Sequence, residues 1–533
     1  MFFPDKQIDS NTTVAYPSIL LNGNRFHNDQ PATELLAEFL MVINAPKKIN
    51  FGDVAINEMF PEKALLSDFK EMTYSIEHRL YFKLFSLWTS GKHPKASESH
   101  ASEYKVLLKD LCARFDEEMN PERHLEIISY LYQGFQIAGD TRDWSSRSFL
   151  PLSKNLITGE TIWRASNAMK KGEVSDFAVA KNFFTHNDRD FYARGGEVLY
   201  LQLLACFTKS KEDVERMLKE KSFLSGIKVN TNEMDPAILK ATIEKGLFAM
   251  YSSNNIPSGF DSFISLVEDI GQPDITQKKE KFNFTEEQSI GYIPEETWYL
   301  GYLFALDLFR LFQSQFDAID LLRLLQLECM LHTFRTMIFT ASSYLEKDVP
   351  KMAIVSSSCE STELKTVSRR SFENIQMRIK TAYETLARTN QDCYEALKNK
   401  LSDPKQADGI HKDNGYKLIR KQAKSIGLVI PKTGGNEHFV LTKDMLVLLV
   451  STTLVPDESL TIESFLEDLS SRWGMVFDED GFTEVNRCSE LSQRITDSSI
   501  LEWFVEMLDD CGYYFALSDA ISLVKNTNIA VEK

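Results

Sequence analysis

The spacing of apolar residues along most of the chain is that of a helical protein. Apolar side chains recur at intervals of three and four between polar or turn residues, a pattern that predicts amphipathic helices. Clear examples are residues 32–43, 195–207, 211–223 and 235–251. Residues 295–345 are apolar on all sides of their predicted helices, so we expect them inside a bundle. Residues 364–401 follow with the pattern of one long polar helix.

The pattern changes once, between residues 414 and 455. A helical segment at 418–427 is followed by two short strand-like segments, which a Gly-Gly-Asn turn at 434–436 separates. A second helix begins at Thr442, whose hydroxyl group can cap its first turn. This order of helix, strand, glycine turn, strand and helix is typical of a winged helix.

Residues 456–533 repeat this order more weakly. Residues 462–473 have a helical pattern and residues 474–477 can form a strand. Residues 501–524 have the pattern of a helix, a short strand and a further helix. We therefore predict a second winged-helix-like domain in this part of the chain.

The scarcity of turn residues supports a mainly α fold. The 23 glycines and 16 prolines make up about 7% of the chain, where roughly 12% is usual. A length of 533 residues is enough for several domains. We predict a multi-domain helical protein with C-terminal winged-helix-like domains that contain short β-hairpins. The predicted domains are an N-terminal helical domain (1–150), a middle helical domain (151–285), an apolar bundle with a long polar helix (286–402), a winged-helix-like domain (403–455) and a second, acidic one (456–533).

The net charge and the cysteines limit the class of protein. A formal charge of −17 argues against a protein coated with positive charge for non-specific nucleic-acid binding. The seven cysteines are at least 23 positions apart, which leaves no CxxC pair and suggests reduced thiols. The first residues lack the basic and apolar stretches of a signal peptide, and the longest apolar runs are far below the ~18 residues of a membrane span. We expect a cytoplasmic protein with no membrane partner.

Common catalytic signatures are absent from the sequence, which contains no GxxxxGKS/T, GxGxxG, HExxH or GxSxG motif. The densest polar cluster, residues 185–197, has side chains that could bind Mg²⁺ or Mn²⁺ in a nuclease-like site. Its candidate ligands are His186, Asp188, Asp190 and Glu197. An Asn- and Asp-rich loop before a helix is the simpler interpretation, because such side chains satisfy free backbone N–H groups there. We therefore predict no catalytic residue, no metal and no cofactor, and we expect His332 to be a hydrogen-bonded core residue.

Positive charge is concentrated in one stretch of the chain. Residues 361–432 contain 15 Lys and Arg against 8 Asp and Glu, a local net charge of +7. Within it, four basic residues at i, i+3, i+4 and i+7 share one face of the helix before the predicted hairpin. In a winged helix this helix would enter the major groove of DNA and the hairpin would lie near phosphates. The predicted nucleic-acid contacts are these four residues, Lys417, Arg420, Lys421 and Lys424, together with Lys412 and Lys432.

Winged helices also serve as protein-interaction modules, and a basic face can meet an acidic partner. Residues 456–533 hold 17 Asp and Glu against 5 Lys and Arg, so an acidic surface is available in the same chain. Contact with DNA and contact with protein both stay open at this point, and we prefer contact with DNA.

Several segments of the sequence are similar to those of a known group of proteins. They are KSIGLVIPKTGGNEHFVLTKDMLVLLV (424–450), FLEDLSSRWGMVF (465–477), CGYYFALSDAISLV (511–524) and FYARGGEVLYLQLL (191–204). Together they resemble large accessory proteins encoded in bacterial phage-defence and modification-dependent restriction clusters. Such clusters often include a DNA methyltransferase and a HerA/FtsK-like ATPase. The resemblance covers about a third of the chain, contains no catalytic motif and carries over no functional residue.

The resemblance implies a non-catalytic accessory or scaffold subunit of a bacterial anti-phage defence complex. In this hypothesis the C-terminal winged helix contacts double-stranded DNA, and the helical regions dock partner proteins such as a HerA/FtsK-like ATPase or a DNA methyltransferase. Two alternatives stay open. One is a divalent-metal nuclease with its site at residues 186–197, and the other is an adaptor that binds only proteins.

Overall fold

Most of the residues that the computed structural model describes form α-helices, in segments with the apolar spacing of a helix. The described residues are 15–23, 26–28, 30–50, 55–62, 71–75, 145–146, 161–163, 184–185, 195–252, 287–403, 407–488, 495, 499–518 and 521–531. Within them the protein is mainly α-helical, as the sequence pattern predicts. The helices, in chain order, are α1 (Tyr16–Asn22), α2 (Ala32–Asn44), α3 (Gly195–Phe207), α4 (Lys211–Glu220), α5 (Pro236–Ser252), α6 (Trp298–Leu311), α7 (Ala318–Tyr344), α8 (Thr362–Thr389), α9 (Gln391–Leu401), α10 (Lys417–Ser425), α11 (Lys443–Thr453), α12 (Ile462–Trp473), α13 (Glu479–Cys488) and α14 (Ser499–Asp510).

The described strands are short and form small sheets. They are β1 (Lys47–Ile49), β2 (Met72–Ser75), β3 (Ser145–Ser146), β4 (Thr161–Trp163), β5 (Phe184–Thr185), β6 (Glu287–Ser289), β7 (Met352–Ala353), β8 (Val429–Ile430), β9 (His438–Phe439), β10 (Ser459–Thr461), β11 (Met475–Val476), β12 (Tyr514–Ser518) and β13 (Ile521–Lys525). Three sheets have three strands, in the orders β1–β2–β6, β3–β4–β5 and β10–β13–β12, and β7–β11 and β8–β9 are pairs. Only β7 and β11 pair in parallel among the described strands. Helices therefore supply most of the described core.

The predicted apolar bundle is confirmed by the burial of α6 and of most of α7. α6 packs on α3, α5 and α11, whereas α7 packs on α2 and α8. A Cβ atom at Gly301 of α6 would lie 1.8 Å from the backbone oxygen of Gln202 in α3. Because that distance is far inside van der Waals contact, only glycine allows these two helices to approach so closely.

The long polar helix predicted at 364–401 is two helices, α8 and α9. The break falls at Asn390, whose backbone is extended and whose side-chain oxygen accepts a hydrogen bond from the Cys393 N–H at 3.0 Å. An asparagine in this position satisfies a free N–H group at the start of α9, so capping a new helix replaces continuation of the old one. The prediction of one continuous helix was wrong at this residue.

Residues from all five predicted domains contribute to one hydrophobic cluster. Its members include Phe26, Val198, Leu300, Leu418 and Phe465. Each of the five side chains is nearly excluded from water. The elements of the described chain thus share a core, although they come from distant parts of the sequence.

The C-terminal region agrees with the sequence prediction only in part. α12 covers the predicted helix, but β11 pairs in parallel with β7, so Met475 lies opposite Met352. The helix predicted at the end of 501–524 is wrong, because residues 521–525 form strand β13 between β10 and β12. Two neighbouring strands supply hydrogen-bond partners for the backbone of β13, and these tertiary partners outweigh a weak local preference for helix.

Two further expectations concern the membrane and the cysteines. None of the helices in the described ranges combines the length and the apolarity needed to cross a bilayer. The described cysteines form no disulfide. These residues are Cys206, Cys329, Cys359, Cys393 and Cys511.

Candidate nucleic-acid interface

The basic face predicted from residue spacing lies on α10. Leu418, Ile419 and Ala423 of this helix are buried, so its other face points outwards. The four basic side chains at i, i+3, i+4 and i+7 lie on that outer face, since a helix brings these positions together. Arg420 and Lys421 are exposed there, whereas Lys417 is half-buried and Lys424 keeps only 15% of its side chain exposed.

A β-hairpin follows α10 directly. Gly427 ends the helix with a φ of +81°, which glycine adopts without strain and which turns the chain into β8. β8 and β9 then pair with Val429 opposite Phe439. The predicted hairpin is therefore confirmed, and so is the cap of α11, because the Thr442 hydroxyl accepts a hydrogen bond from the Met445 N–H at 3.3 Å.

The base of the hairpin is fixed on α8. The Phe439 N–H donates to the Ser368 hydroxyl at 2.9 Å, and the Phe439 ring packs edge-on against Phe372 with centroids 5.2 Å apart. Its loop, by contrast, is exposed from Lys432 to Asn436. The hairpin thus combines an anchored base with an exposed, basic tip.

The six predicted contact residues occupy different environments. Lys432 is exposed in the hairpin loop, and Lys412 lies half-buried in the turn before α10. Lys417 forms an ion pair with Asp413, with 3.4 Å between Nζ and Oδ1. We call Lys417, Arg420, Lys421, Lys424 and Lys432 the basic surface, since all five lie on α10 or on the hairpin that follows it.

Glu437 binds two residues of the basic surface and was missed by the sequence analysis. Its Oε1 accepts hydrogen bonds from Arg420 Nε and from Lys424 Nζ, each at 2.6 Å, and also contacts Arg420 Nη2. Burial opposes ionisation of this carboxyl, but the hydrogen bonds from Lys424 and Arg420 lower the pKa of Glu437. No helical or strand periodicity relates position 437 to positions 420 and 424, so only the folded hairpin reveals the contact.

Arg369 of α8 is a second residue at this surface that sequence reasoning did not single out. Its Nη1 donates to the Asn436 side-chain oxygen in the hairpin loop at 3.1 Å. Its Nε lies 3.6 Å from a carboxylate oxygen of Glu373 on the same helix. Arg369 therefore extends the positive charge from α10 to α8 and ties the hairpin loop to the longer helix.

A second group of charged residues lies inside the helical bundle. Asp307 of α6 binds Arg335 of α7 through Oδ2 at 2.6 Å, and its other oxygen contacts Arg472 of α12. Arg472 also reaches Asp468 at 3.4 Å, and Arg335 lies 3.8 Å from Glu328. All five side chains are fully excluded from water, and we call them the buried charge network.

Burial dominates the acid–base properties of this network. It raises the pKa of Glu328 to about 7, against which the charge of Arg335 acts only in part. It also raises the pKa of Asp468 to about 7. His332, next to the network, has a pKa well below its usual value because burial and Arg335 both disfavour its charged form. Perturbed groups often mark active sites, but these are closed to solvent and to any substrate.

His332 confirms the expectation of a hydrogen-bonded core histidine. Its Nε2 lies 2.8 Å from the Gln202 side-chain oxygen, and its Nδ1 accepts from Arg335 Nε at 3.1 Å. The ring is stacked on Phe304 with centroids 4.4 Å apart. Both ring nitrogens are thus engaged within the protein.

The metal-site hypothesis rests mostly on residues outside the described ranges, where His186, Asp188 and Asp190 fall. Glu197 is described, and it is buried in the first turn of α3 with its Oε1 accepting from the Tyr74 hydroxyl at 2.8 Å. Within the described part of the chain, no group of three or more His, Cys, Asp or Glu side chains could hold a metal ion. The alternative of a metal site at residues 186–197 stays a hypothesis.

Comparisons of the chain with protein-family models, characterised proteins and solved structures give no match.

Proposed function

We propose that the protein is a non-catalytic accessory subunit that contacts double-stranded DNA through the basic surface of α10 and the β8–β9 hairpin. The observation that supports this most directly is the exposure of Arg420 and Lys421 on a helix that is followed by a hairpin whose loop exposes Lys432. Basic side chains on a helix and an adjoining hairpin can meet phosphates on two sides of a groove. We assign a winged-helix-like role to residues 417–453 on this basis.

The charge distribution is suited to such contact. Lys and Arg gain affinity for DNA by releasing counterions from phosphates, so a local excess of positive charge favours binding even in an acidic chain. Residues 361–432 carry a net charge of +7 within a protein of −17. The acidic remainder would repel DNA from other surfaces and limit contact to this one.

Charge reversal tests the proposal. The variant Lys421→Glu with Lys432→Glu should weaken binding of a short duplex about tenfold to a hundredfold at low salt and reduce the salt slope by about two, since two phosphate contacts are lost. A matched control is Lys219→Glu with Lys245→Glu, because both lysines are exposed on α4 and α5 and the change in net charge is the same. Equal effects of the two double variants in fluorescence anisotropy would contradict the proposal.

We further propose that the helical regions dock partner proteins of a cytoplasmic anti-phage defence complex. This part rests on the resemblance of the sequence to accessory proteins of such systems. A tagged full-length chain purified from its native host should bring with it a HerA/FtsK-like ATPase or a DNA methyltransferase, identified by mass spectrometry. Recovery of unrelated metabolic enzymes alone would contradict this part of the proposal.

One observation favours the alternative of an adaptor that binds only proteins. A groove of about 720 Å³ between the start of α13 and α14 is lined by two aliphatic side chains and five carboxylates. Its lining residues are Asp478, Glu479, Asp480, Leu501, Glu502, Val505 and Glu506. A Lys- or Arg-rich protein segment would complement it. Loss of partner binding in Glu502→Lys with Glu506→Lys, without any DNA binding by the unaltered protein, would favour the adaptor.

A further inference from the structure

Glu437 holds two cations of the basic surface in a way that resembles phosphate binding. Three nitrogen donors, Nε and Nη2 of Arg420 and Nζ of Lys424, contact the single oxygen Oε1 of Glu437. A guanidinium edge combined with an ammonium group is a common donor set for a phosphate oxygen. We call these three residues the Glu437 clasp.

The clasp joins two elements that are fixed independently of it. Arg420 and Lys424 are four positions apart on α10, whose apolar face is buried. Glu437 comes just before β9, which hydrogen bonds to Ser368 hold in place. Because both backbones are anchored elsewhere, the carboxylate can leave its donors by rotation of its own side chain. The backbone positions of both donors on α10 would stay the same when it leaves.

The charges of the clasp do not cancel. Two cations face one carboxylate, and Arg420 keeps 46% of its side chain exposed while the other two side chains are about 85% buried. An anion that approached from solvent would meet Arg420 first. The anion would then compete with Glu437 for the same donors, because Oε1 of Glu437 already contacts all three donor nitrogens.

We propose that Glu437 occupies a phosphate subsite of the basic surface and acts as an intramolecular competitor of the DNA backbone. This inference rests on the proposed function and adds regulation to the same site. Phosphates delivered together by a duplex displace the carboxylate, whereas an isolated anion gains too little to do so. Glu437 thereby lowers the affinity of the basic surface for DNA and makes it dependent on several simultaneous contacts.

The first experiment measures duplex binding by Glu437→Gln. Removal of the competing charge should tighten binding about tenfold and make the salt slope steeper by about 0.9, the contribution of one additional phosphate contact. The control is Glu395→Gln, which removes one exposed carboxylate that pairs with Lys398 on α9, outside the basic surface, and leaves the clasp intact. It should change affinity less than twofold. Unchanged affinity of Glu437→Gln, or an equal gain in Glu395→Gln, would overturn the proposal.

A second variant covers the case in which Glu437→Gln disturbs the hairpin. Glu437→Asp keeps the charge but is one methylene shorter, so it should reach the donors less well and give an intermediate gain in affinity. Far-UV circular dichroism and the melting temperature show whether each variant is folded. A folded Glu437→Asp that binds DNA as the unaltered protein does would also count against competition.

An inorganic probe separates this inference from the function on which it rests. Sulfate should raise the melting temperature of Glu437→Gln by more than chloride does at equal ionic strength, and it should leave the unaltered protein unaffected. A sulfate shift without any DNA binding supports the subsite and rejects DNA as its ligand. DNA binding that depends on Lys421 and Lys432, without a sulfate shift or a gain in Glu437→Gln, rejects the subsite alone.

Discussion

The basic surface and the buried charge network contain the same kinds of side chain in opposite surroundings. In the basic surface, Arg420 keeps nearly half of its side chain in water, and one carboxylate serves two cations. In the network, Arg335 and Arg472 are fully buried and share Asp307. Hydrated charges can exchange partners at little cost, whereas buried charges need fixed ones. The first region is therefore suited to binding, and the second to holding α6, α7 and α12 together.

The carboxyl groups of the two regions respond to these surroundings in opposite directions. Burial raises the pKa of Glu328 to about 7 in the network. In the clasp, hydrogen bonds from Lys424 and Arg420 overcome the effect of partial burial and lower the pKa of Glu437. At pH 7 the same residue type is thus about half protonated in one region and ionised in the other. Whether hydrogen-bond donors accompany burial decides between the two outcomes.

The largest effect is expected from breaking the network. Asp307→Asn removes the charge that Arg335 and Arg472 share and leaves both cations buried, so the free energy of unfolding should fall by about 3–5 kcal/mol. Urea denaturation of the full chain measures this loss. The exposed control Glu373→Gln should change stability little, because its pair with Arg369 remains in contact with water. Equal free energies of unfolding for Asp307→Asn and Glu373→Gln would contradict the distinction between buried and exposed ion pairs.

The next largest effect is expected in the pH dependence of the free energy of unfolding, which the buried charge network causes. Since the folded-state pKa of Glu328 is about 7, above the ordinary value of 4.5, the folded protein holds a proton that the unfolded chain releases. The contribution of Glu328 to the free energy of unfolding is complete below about pH 4.5 and is lost as the pH rises through 7. The free energy of unfolding falls over this range by up to about 1.4 kcal/mol per pH unit. Burial raises the pKa of Asp468 in the same direction, so this residue adds to the loss of stability with rising pH.

Glu328→Gln isolates the contribution of that residue. The neutral amide cannot titrate, so the decline in unfolding free energy between pH 5 and pH 7.5 should be shallower than in the unaltered protein. Glu437→Gln serves as the control from the other region. A lowered folded-state pKa gives stability that is present above the ordinary value and lost in acid, so this control should leave the decline towards neutral pH in place. An unchanged pH profile in Glu328→Gln would assign the titration to another group.

The smallest effect is expected at the edge of the basic surface. Lys417→Ala breaks an exposed ion pair with Asp413, in which 41% of the lysine side chain is accessible. Its stability should change by less than about 1 kcal/mol, while the salt slope of duplex binding should fall by about one. A large loss of stability would show that this lysine has a structural role like that of the buried arginines.

Local patterns predicted most of the described helices and the position of the hairpin. The basic face of α10 and the Thr442 cap of α11 depend on residues within one or two turns of each other, so spacing alone revealed them. The strand β13 was mistaken for a helix because its partners β10 and β12 are separate segments. Parallel pairing of β11 with β7, more than 100 residues earlier in the chain, had no local signal either.

Prediction of the candidate site was limited in the same way, to residues that lie close together in the chain. Spacing identified the cations of α10 but not Glu437, whose carboxylate approaches them only after the hairpin folds back. It also did not indicate the buried charge network, because Asp307, Arg335 and Arg472 belong to three helices whose sequences are otherwise apolar or amphipathic. A charged residue inside an apolar stretch was the one signal that could have suggested it.

The helical character, the apolar bundle and the concentration of positive charge before the hairpin could all be predicted from the amino-acid sequence. These follow from composition and from contacts between residues a few positions apart, which the helix geometry makes predictable. Tertiary structure alone decided which charges are exposed and which are buried, and which carboxylate neutralises which cation. Those properties depend on contacts between segments distant in the chain, since burial and partner distance set the energy of a charge.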